Sequence, residues 1–137
     1  MKWTLVILET PFRGAGSSPE ERAADEARKV SYARACMRDC LLRHEAPYAS
    51  HLLYTQPGVL DDRLASERSM GIDAGLAWGE VAQRTVVYED LGISEGMHLG
   101  IERARREGRK VEFRTLPDFD VREDDRTDEP AKQASAT

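Results

Sequence analysis

The chain has 137 residues and a formal net charge of −5, with 40% apolar and 33% charged residues. This length predicts one main domain, and the composition is typical of a soluble globular protein. No apolar run approaches the roughly 20 residues that a membrane helix needs, so we expect no membrane partner. The mild acidity argues against general nucleic-acid binding.

The first predicted elements are a strand and a long helix. The apolar run at 2–9 is rich in β-branched residues and predicts a central strand buried on both faces. The loop "TPFRGAGSSP" follows, in which Ser18 as N-cap and Pro19 at the first helical position predict a helix start. We expect this helix to run to about Arg43. Its apolar positions recur at helical spacing and are expected to face the core: Ala23, Ala27, Val30, Ala33, Ala35, Met37, Cys40 and Leu41.

Two cysteines, Cys36 and Cys40, lie one turn apart on this helix and so share a face. A disulfide between them is disfavoured, because its geometry is poor inside a regular helix. With His44 and His51 they suggest a metal site, but small apolar fillers in a cytosolic helix are the better interpretation. We therefore predict no metal, no cofactor and a cytoplasmic protein.

The rest of the chain continues to alternate between strands and helices. The predicted elements are a weak strand at 46–50, a loop at 51–63, a helix at 65–82, a strand at 85–90, a helix at 95–107 and a strand at 110–116. Gly108 ends the last helix, and the alternating pattern of the last strand indicates a sheet edge. The helix at 65–82 has one apolar side, formed by Met70, Ala74, Ala77, Trp78 and Val81.

Strands that alternate with helices predict a parallel sheet with right-handed crossovers. We predict a small three-layer α/β domain of the Rossmann or flavodoxin type over 1–116, with four strands in the order 2-1-3-4 and about three helices. The acidic tail at 117–137 is predicted to be disordered, the alternative being a partner-binding arm. In such folds ligands bind beyond the strand ends where strand order reverses, here between the loops "ETPFRGAG" and "EDLGISEGM".

Both of these loops contain residues suited to an anion. Ser94 can cap the last helix and Gly96 leaves amides open, which is typical of a phosphate site, although an ordinary capped turn is the alternative. The spacing is neither that of a Walker motif nor G-x-G-x-x-G, so a small phosphorylated ligand fits better than a dinucleotide. The expected ligand contacts are Thr10, Arg13, Gly14, Tyr54, Ser94, Gly96 and Met97.

Glu9 is the most interesting carboxylate, because a charge that ends a buried strand is costly unless it is paired or used. It is expected to pair with Arg13 or Arg68, or to bind a ligand hydroxyl.

Three further polar residues are catalytic candidates. His51 follows the second strand and could act as a general base or hydrogen-bond donor, the alternative being a partly exposed loop histidine. Glu67 lies near the start of the second helix and Asp73 lies a turn and a half later. His44 and His98 are expected at the surface.

The segment "VVYEDLGISEGMHLGIERARREGRKVEF" resembles the nucleoside 2-deoxyribosyltransferase superfamily, which includes nucleoside 5′-monophosphate N-glycosidases. Ser94-Glu95-Gly96 resembles the phosphate-binding loop of that superfamily, 108–111 its last element, and "ETPFRG" its first ligand loop. The resemblance covers about 3–116. Within it, the stretch "YARACMRDCLLRHEAPYASHLLYTQPGVLDD" is most similar to a branch common in phage and bacterial genomes.

The resemblance implies N-glycosidic bond chemistry on a nucleotide, with Ser94 and Gly96 as phosphate contacts. In that superfamily a glutamate four residues after the loop glycine attacks the sugar C1′, and here that position is Gly100. Two functions are therefore expected. One is a hydrolase in which Glu9, Glu67 or Asp73 stabilises the sugar cation or activates water and His51 assists the leaving group. The other is a nucleotide-binding or nucleotide-sequestering protein that has lost the nucleophile.

Related folds often pair through helices. The apolar stretch "LLYTQPGVL" is a candidate contact, because a small domain cannot easily bury it alone. We therefore expect a homodimer or a higher homo-oligomer.

Overall fold

The computed structural model describes residues 2–119. In chain order its elements are β1 (Thr4–Glu9), α1 (Pro19–Leu42), β2 (Glu45–Tyr48), α2 (Ser50–Leu53), α3 (Ala65–Ala77), a 3-10 turn (Trp78–Glu80), β3 (Arg84–Tyr88), α4 (Glu95–Arg106) and β4 (Lys110–Arg114). None of the helices in this range has the length and apolar character needed to cross a bilayer.

The four strands form one parallel sheet in the order β2-β1-β3-β4, which confirms the predicted topology. β1 lies in the interior of the sheet, where Ile7 is paired with Tyr48 on one side and Thr85 on the other. Because β1 and β3 are neighbours, the loops that follow them leave the sheet side by side. β4 is an edge strand, as its alternating sequence indicates.

The two faces of the sheet are covered by different helices, which gives three layers. On one face, Val6 and Leu8 of β1 pack with α1 residues such as Tyr32 and Cys36. On the other, Val87 of β3 packs with Met97 and Ile101 of α4 and with Ile93 before this helix, and Val111 and Phe113 of β4 pack against the same cluster. Successive strand residues point to opposite faces. Ile7 and Glu9 therefore point away from α1, toward the side of the sheet that carries α3 and α4.

The long helix α1 begins at Ser18, whose hydroxyl accepts a hydrogen bond from the Glu21 amide, as predicted. The predicted buried face is only partly correct. Its buried residues are Lys29, Tyr32, Ala33, Cys36 and Cys40, whereas Ala23, Ala27, Ala35 and Leu41 are exposed. Both cysteines are free and fully buried, in agreement with the core-filler interpretation.

The segment between β2 and β3 differs most from the sequence prediction. The expected loop contains the short helix α2, so the described chain has four α-helices instead of three. The second predicted helix ends at Ala77 and continues as one 3-10 turn to Glu80. Its supposed inner residues Met70, Trp78 and Val81 are 58%, 49% and 57% exposed, because the inner face is formed by glycines.

Asp90 fixes the loop between β3 and α4 to its surroundings. Its carboxylate accepts a 2.6 Å hydrogen bond from the Tyr32 hydroxyl, and its Oδ2 accepts a 3.0 Å bond from the Leu116 amide. Phe119, assigned to the tail by the sequence, packs edge-on against the Tyr32 ring at 4.7 Å. The rest of the predicted tail, 120–137, lies outside the described residues.

The apolar stretch at 52–60 exposes Leu53 and Val59 by 45% and 51%. The homo-oligomer that this stretch suggested stays a prediction.

Candidate active site

A cavity of about 410 Å³ lies on the α3 and α4 side of the sheet, at the C-terminal ends of β1 and β3. The two loops that the sequence placed at the switch point both line it. All seven expected ligand contacts are in its wall: Thr10, Arg13, Gly14, Tyr54, Ser94, Gly96 and Met97. Of the catalytic candidates, Glu9, His51 and Glu67 line this inner cavity, whereas Asp73 lines a neighbouring cleft.

The carboxyl group of Glu9 reaches across from β1 to the first turns of α4. A Cβ atom built on Gly100 would lie 2.0 Å from Oε2 and 2.5 Å from Cδ of Glu9. The Glu9 carboxyl therefore occupies the space that a side chain at position 100 would need. The expected ion pairs with Arg13 or Arg68 are wrong, since no residue within 2–119 forms a hydrogen bond or ion pair with this carboxyl.

Burial raises the pKa of Glu9 from 4.5 to about 8, and the positive charge of Arg109 opposes this shift only in part. The Arg109 side chain is 6% exposed. Its guanidinium group donates to the Gly79 carbonyl at 2.8 Å and to the Thr85 hydroxyl at 3.0 Å. It also pairs with Glu107 at 2.7 Å. At neutral pH Glu9 is therefore mainly a neutral carboxylic acid, held in a cavity and able to give up a proton.

This raised pKa predicts a pH dependence of folding stability. Between about pH 4.5 and 8 the native state keeps a proton on Glu9 that the unfolded chain has lost, so stability falls as pH rises through this range. A shift of this size corresponds to an upper bound of about 5 kcal/mol. Urea unfolding at pH 5, 6.5 and 8 should show the decline, and Glu9→Gln should reduce it. Equal slopes for the two proteins would contradict the raised pKa.

His51 lies on the short helix α2 and is partly exposed, whereas the sequence placed it in a loop. Its Nε2 is 2.6 Å from the Thr10 hydroxyl, and its ring meets the Phe12 ring edge-on at 6.1 Å. Burial lowers the pKa of His51 to about 4, so the imidazole is neutral at pH 7. It can exchange hydrogen bonds with a ligand without carrying charge. Of the two histidines expected at the surface, His44 is exposed, but His98 is half-buried with a buried Nε2.

The N-terminus of α4 forms one end of the cavity. The Ser94 hydroxyl accepts from the Met97 amide at 3.3 Å, and the Met97 sulfur accepts from the Ser94 amide at 3.3 Å. Within the described chain this leaves the amides of Glu95 and Gly96 open, as at any helix start. The guanidinium Nη2 of Arg68 lies 3.7 Å from a Cβ built on Gly96. Arg68 and the helix end can therefore approach one anion together.

Two of the predicted catalytic carboxylates, those of Glu67 and Asp73, have surroundings that differ from those of Glu9. Glu67 accepts a 2.7 Å hydrogen bond from the Asp61 amide, which fixes the turn before α3. Asp73 is exposed and lies beside Arg106 and Glu102 in the neighbouring cleft. Glu9, whose pKa burial raises to about 8, is therefore the strongest candidate for proton transfer.

Sequence reasoning missed three features of this site. Gly71, Gly75 and Gly79 all line the cavity, and a Cβ on Gly75 would lie 2.5 Å from the Ser50 hydroxyl. Their spacing of four residues was a visible signal of one close-packed helix face. Lys29 is buried and donates to the Arg13 carbonyl at 2.8 Å, which anchors the first loop. Arg109, the third feature, gave no local signal, because its role depends on its position behind Glu9.

A search of curated proteins and a search of solved structures each gave no match. One protein-family model, described as a domain of unknown function, DUF7768, matches residues 4–114. The match includes every strand of the sheet and both loops of the inner cavity. The chain belongs to the DUF7768 family.

Proposed function

We propose that this protein hydrolyses the N-glycosidic bond of a (deoxy)nucleoside 5′-monophosphate or a related small nucleotide. The observation that carries the proposal is the Glu9 carboxyl, which faces the inner cavity without a hydrogen-bonding partner in the described chain and has its pKa raised to about 8. A general acid works best with a pKa near the working pH. Departure of a base from a sugar needs such an acid, because the leaving nitrogen must gain a proton.

Glu9 serves both halves of the reaction. It first gives its proton to the leaving nitrogen while the bond from C1′ to that nitrogen breaks and the sugar becomes oxocarbenium-like. The carboxylate that remains stabilises the sugar cation and takes a proton from the water whose oxygen bonds to C1′. The products are the free base and the sugar phosphate, and Glu9 is again protonated.

The other residues of the cavity bind and orient the nucleotide. The phosphate is held at the α4 N-terminus by the amides of Glu95 and Gly96 and by Arg68. Ser94 can still donate its hydroxyl proton, since it acts only as acceptor toward Met97. The neutral pair of His51 and Thr10 offers hydrogen bonds to the sugar or the base. These roles agree with the resemblance to nucleoside 2-deoxyribosyltransferases.

The glycine at position 100 does not rule this activity out. The superfamily pattern expects a glutamate there, but in this chain the Glu9 carboxyl lies in the space of that side chain. A carboxyl group is thus still available beside α4, supplied from β1. This supports an enzyme whose catalytic carboxyl comes from β1 instead of α4.

The second candidate is a protein that binds and sequesters nucleotides without turnover. The absence of a nucleophilic side chain at Gly100 favours it. The ion pair of Arg68 with Asp62 at 3.1 Å also favours it, because this pair already holds Arg68 in position to bind a ligand. Under this alternative the raised pKa of Glu9 is a by-product of burial.

The test is incubation with a panel of deoxyribo- and ribonucleoside 5′-monophosphates, with released base followed by chromatography. Release of base from at least one member is expected, and Glu9→Gln is the control for a contaminating hydrolase. A thermal shift with no release from any member would favour the binding protein. Neither a shift nor release would refute both candidates.

The proposed phosphate-binding site at the α4 N-terminus and Arg68 makes a separate prediction. Arg68→Ala should weaken binding of the nucleoside monophosphate by about tenfold or more, since a hydrogen bond to a charged group contributes about 1.5–3 kcal/mol. Ser94→Ala should also weaken it and should lower stability by about 1 kcal/mol, because Ser94 caps α4. Calorimetric titration measures the two affinities, and urea unfolding measures the stability. Arg34→Ala is the charge control, because Arg34 is an exposed arginine of α1 outside the cavity. An affinity unaltered by Arg68→Ala would refute the proposed phosphate-binding site.

A further inference from the structure

A second depression, the outer cleft, adjoins the inner cavity between α3 and α4. It has a volume of about 470 Å³ and shares Arg13, Arg68, Ile72, Leu76 and Leu99 with the inner cavity. The remaining lining comes from one face of each helix: Ala65, Ser69 and Asp73 of α3, and Glu102 and Arg106 of α4, with Arg63 before α3. The two spaces therefore adjoin along these five residues, and the part of the boundary formed by Arg13 and Arg68 is called the junction.

Arginines outnumber carboxylates in the lining of the outer cleft. Four arginines line it, Arg13, Arg63, Arg68 and Arg106. Arg63 and Arg68 pair with Asp61 and Asp62 at 3.0 and 3.1 Å. The guanidinium groups of Arg13 and Arg106 form no hydrogen bond or ion pair within residues 2–119. The two carboxylates of the cleft, Asp73 and Glu102, form no ion pair with any of these arginines in the same range.

We propose that the ligand of the inner cavity continues past the junction and that Arg63 and Arg106 hold a second phosphoryl group in the outer cleft. The inference rests on the proposed function and narrows its substrate class to nucleoside diphosphates or longer phosphate esters. The first phosphoryl group lies near the α4 N-terminus and Arg68. Arg13, exposed at the junction, faces the bridge between the two groups.

The remaining lining of the outer cleft indicates what can follow the second phosphoryl group. Asp73 and Glu102 are acceptors for the hydroxyl groups of a sugar, and Ile72, Leu76 and Leu99 offer an apolar wall, of which Leu99 is 46% exposed. A second sugar joined through a diphosphate fits these groups as well as a terminal phosphate does. Both ligands share the second phosphoryl group, and titration can distinguish them.

The test compares, by calorimetric titration, a nucleoside monophosphate, the diphosphate of the same nucleoside and two such nucleosides joined through a diphosphate. The diphosphate should bind about tenfold or more tightly than the monophosphate, as expected for one added charge-assisted contact. Arg106→Ala should remove this gain and leave monophosphate affinity unchanged. Arg105→Ala is the matched control, because it lies on the same last turn of α4 but outside the cleft.

Two further arginine variants test whether the gain in diphosphate affinity comes from the outer cleft. Arg63→Ala should reduce the same gain, and Arg106→Lys should keep part of it, because the charge remains without the planar fork. Tighter binding of the joined nucleosides than of the diphosphate, lost in Asp73→Asn, would assign the cleft to a second sugar.

Equal affinity for mono- and diphosphate, or a gain that survives both arginine variants, would overturn the inference. If base is still released from the monophosphate in that case, the proposed function stands. If no nucleotide of any kind binds, both fail.

Discussion

Replacing Glu9 with glutamine should lower kcat for base release by about 10²–10⁴-fold, the usual contribution of a general acid. Glutamine keeps the size of the side chain in the space beside Gly100 but cannot supply the proton. Nucleotide affinity should stay close to that of the wild type, since the proposed phosphate contacts are the Glu95 and Gly96 amides and Arg68 and do not include Glu9. Chromatography of released base gives the rate, and calorimetry gives the affinity.

The pH profile separates a proton donor from other roles of Glu9. If the protonated carboxyl is required, kcat/KM should fall as pH rises through about 8, where Glu9 loses its proton. A nucleophilic or basic Glu9 would give the opposite limb, with activity rising through that pH. Glu20→Gln, an exposed carboxylate of α1, is the control and should behave as the wild type. Full activity of Glu9→Gln would refute the mechanism.

Adding a methyl group at Gly100 should lower kcat of the proposed reaction without unfolding the protein. The new Cβ would lie 2.0 Å from Oε2 of Glu9, so the carboxyl must move. The moving atoms are the end of a flexible side chain, and alanine is favoured over glycine in a helix by about 1 kcal/mol. Stability should therefore change by no more than about this amount, while kcat falls by about 10²-fold because the acid is misplaced. Thermal denaturation and initial rates measure the two effects.

Two controls test whether Gly100→Ala acts through Glu9. In the Glu9→Gln background the extra methyl should lower kcat little further, since the group it displaces has already lost its function. Gly96→Ala on the same helix adds a methyl with only an ordinary 3.7 Å contact to Arg68, so any change is expected in KM and not in kcat. Additive losses in the double variant would place the effect of Gly100 elsewhere.

The position of Glu9 also bears on the choice between enzyme and binding protein. A carboxyl group with a pKa near 8 is costly to keep in a folded protein, because the buried group resists the ionisation that the unfolded chain undergoes above about pH 4.5. Perturbed pKa values of this kind concentrate at functional sites. A protein that only sequestered nucleotides would gain from an apolar or permanently paired residue at this position.

Much of the site was predictable because it depends on local signals and on simple topology rules. The alternation of strands and helices limited the sheet to a parallel arrangement, and the adjacency of β1 and β3 brought the loops with Arg13 and Ser94 together. Ser94 and Pro19 stand at helix starts for reasons contained within a few residues. Helix faces were harder to predict, since alanine favours helix everywhere and does not distinguish the buried side of α1 from the exposed side.

The sequence by itself determined the order of the elements, the 2-1-3-4 sheet and the two loops that line the inner cavity. Only the tertiary structure decided that Glu9 faces Gly100, that Arg109 lies behind it and that the glycines of α3 turn inward. These contacts join residues far apart in the chain, and they depend on how closely α3 and α4 approach the sheet. The pKa of Glu9 follows from that approach, because desolvation is a property of the packed site and not of the residue.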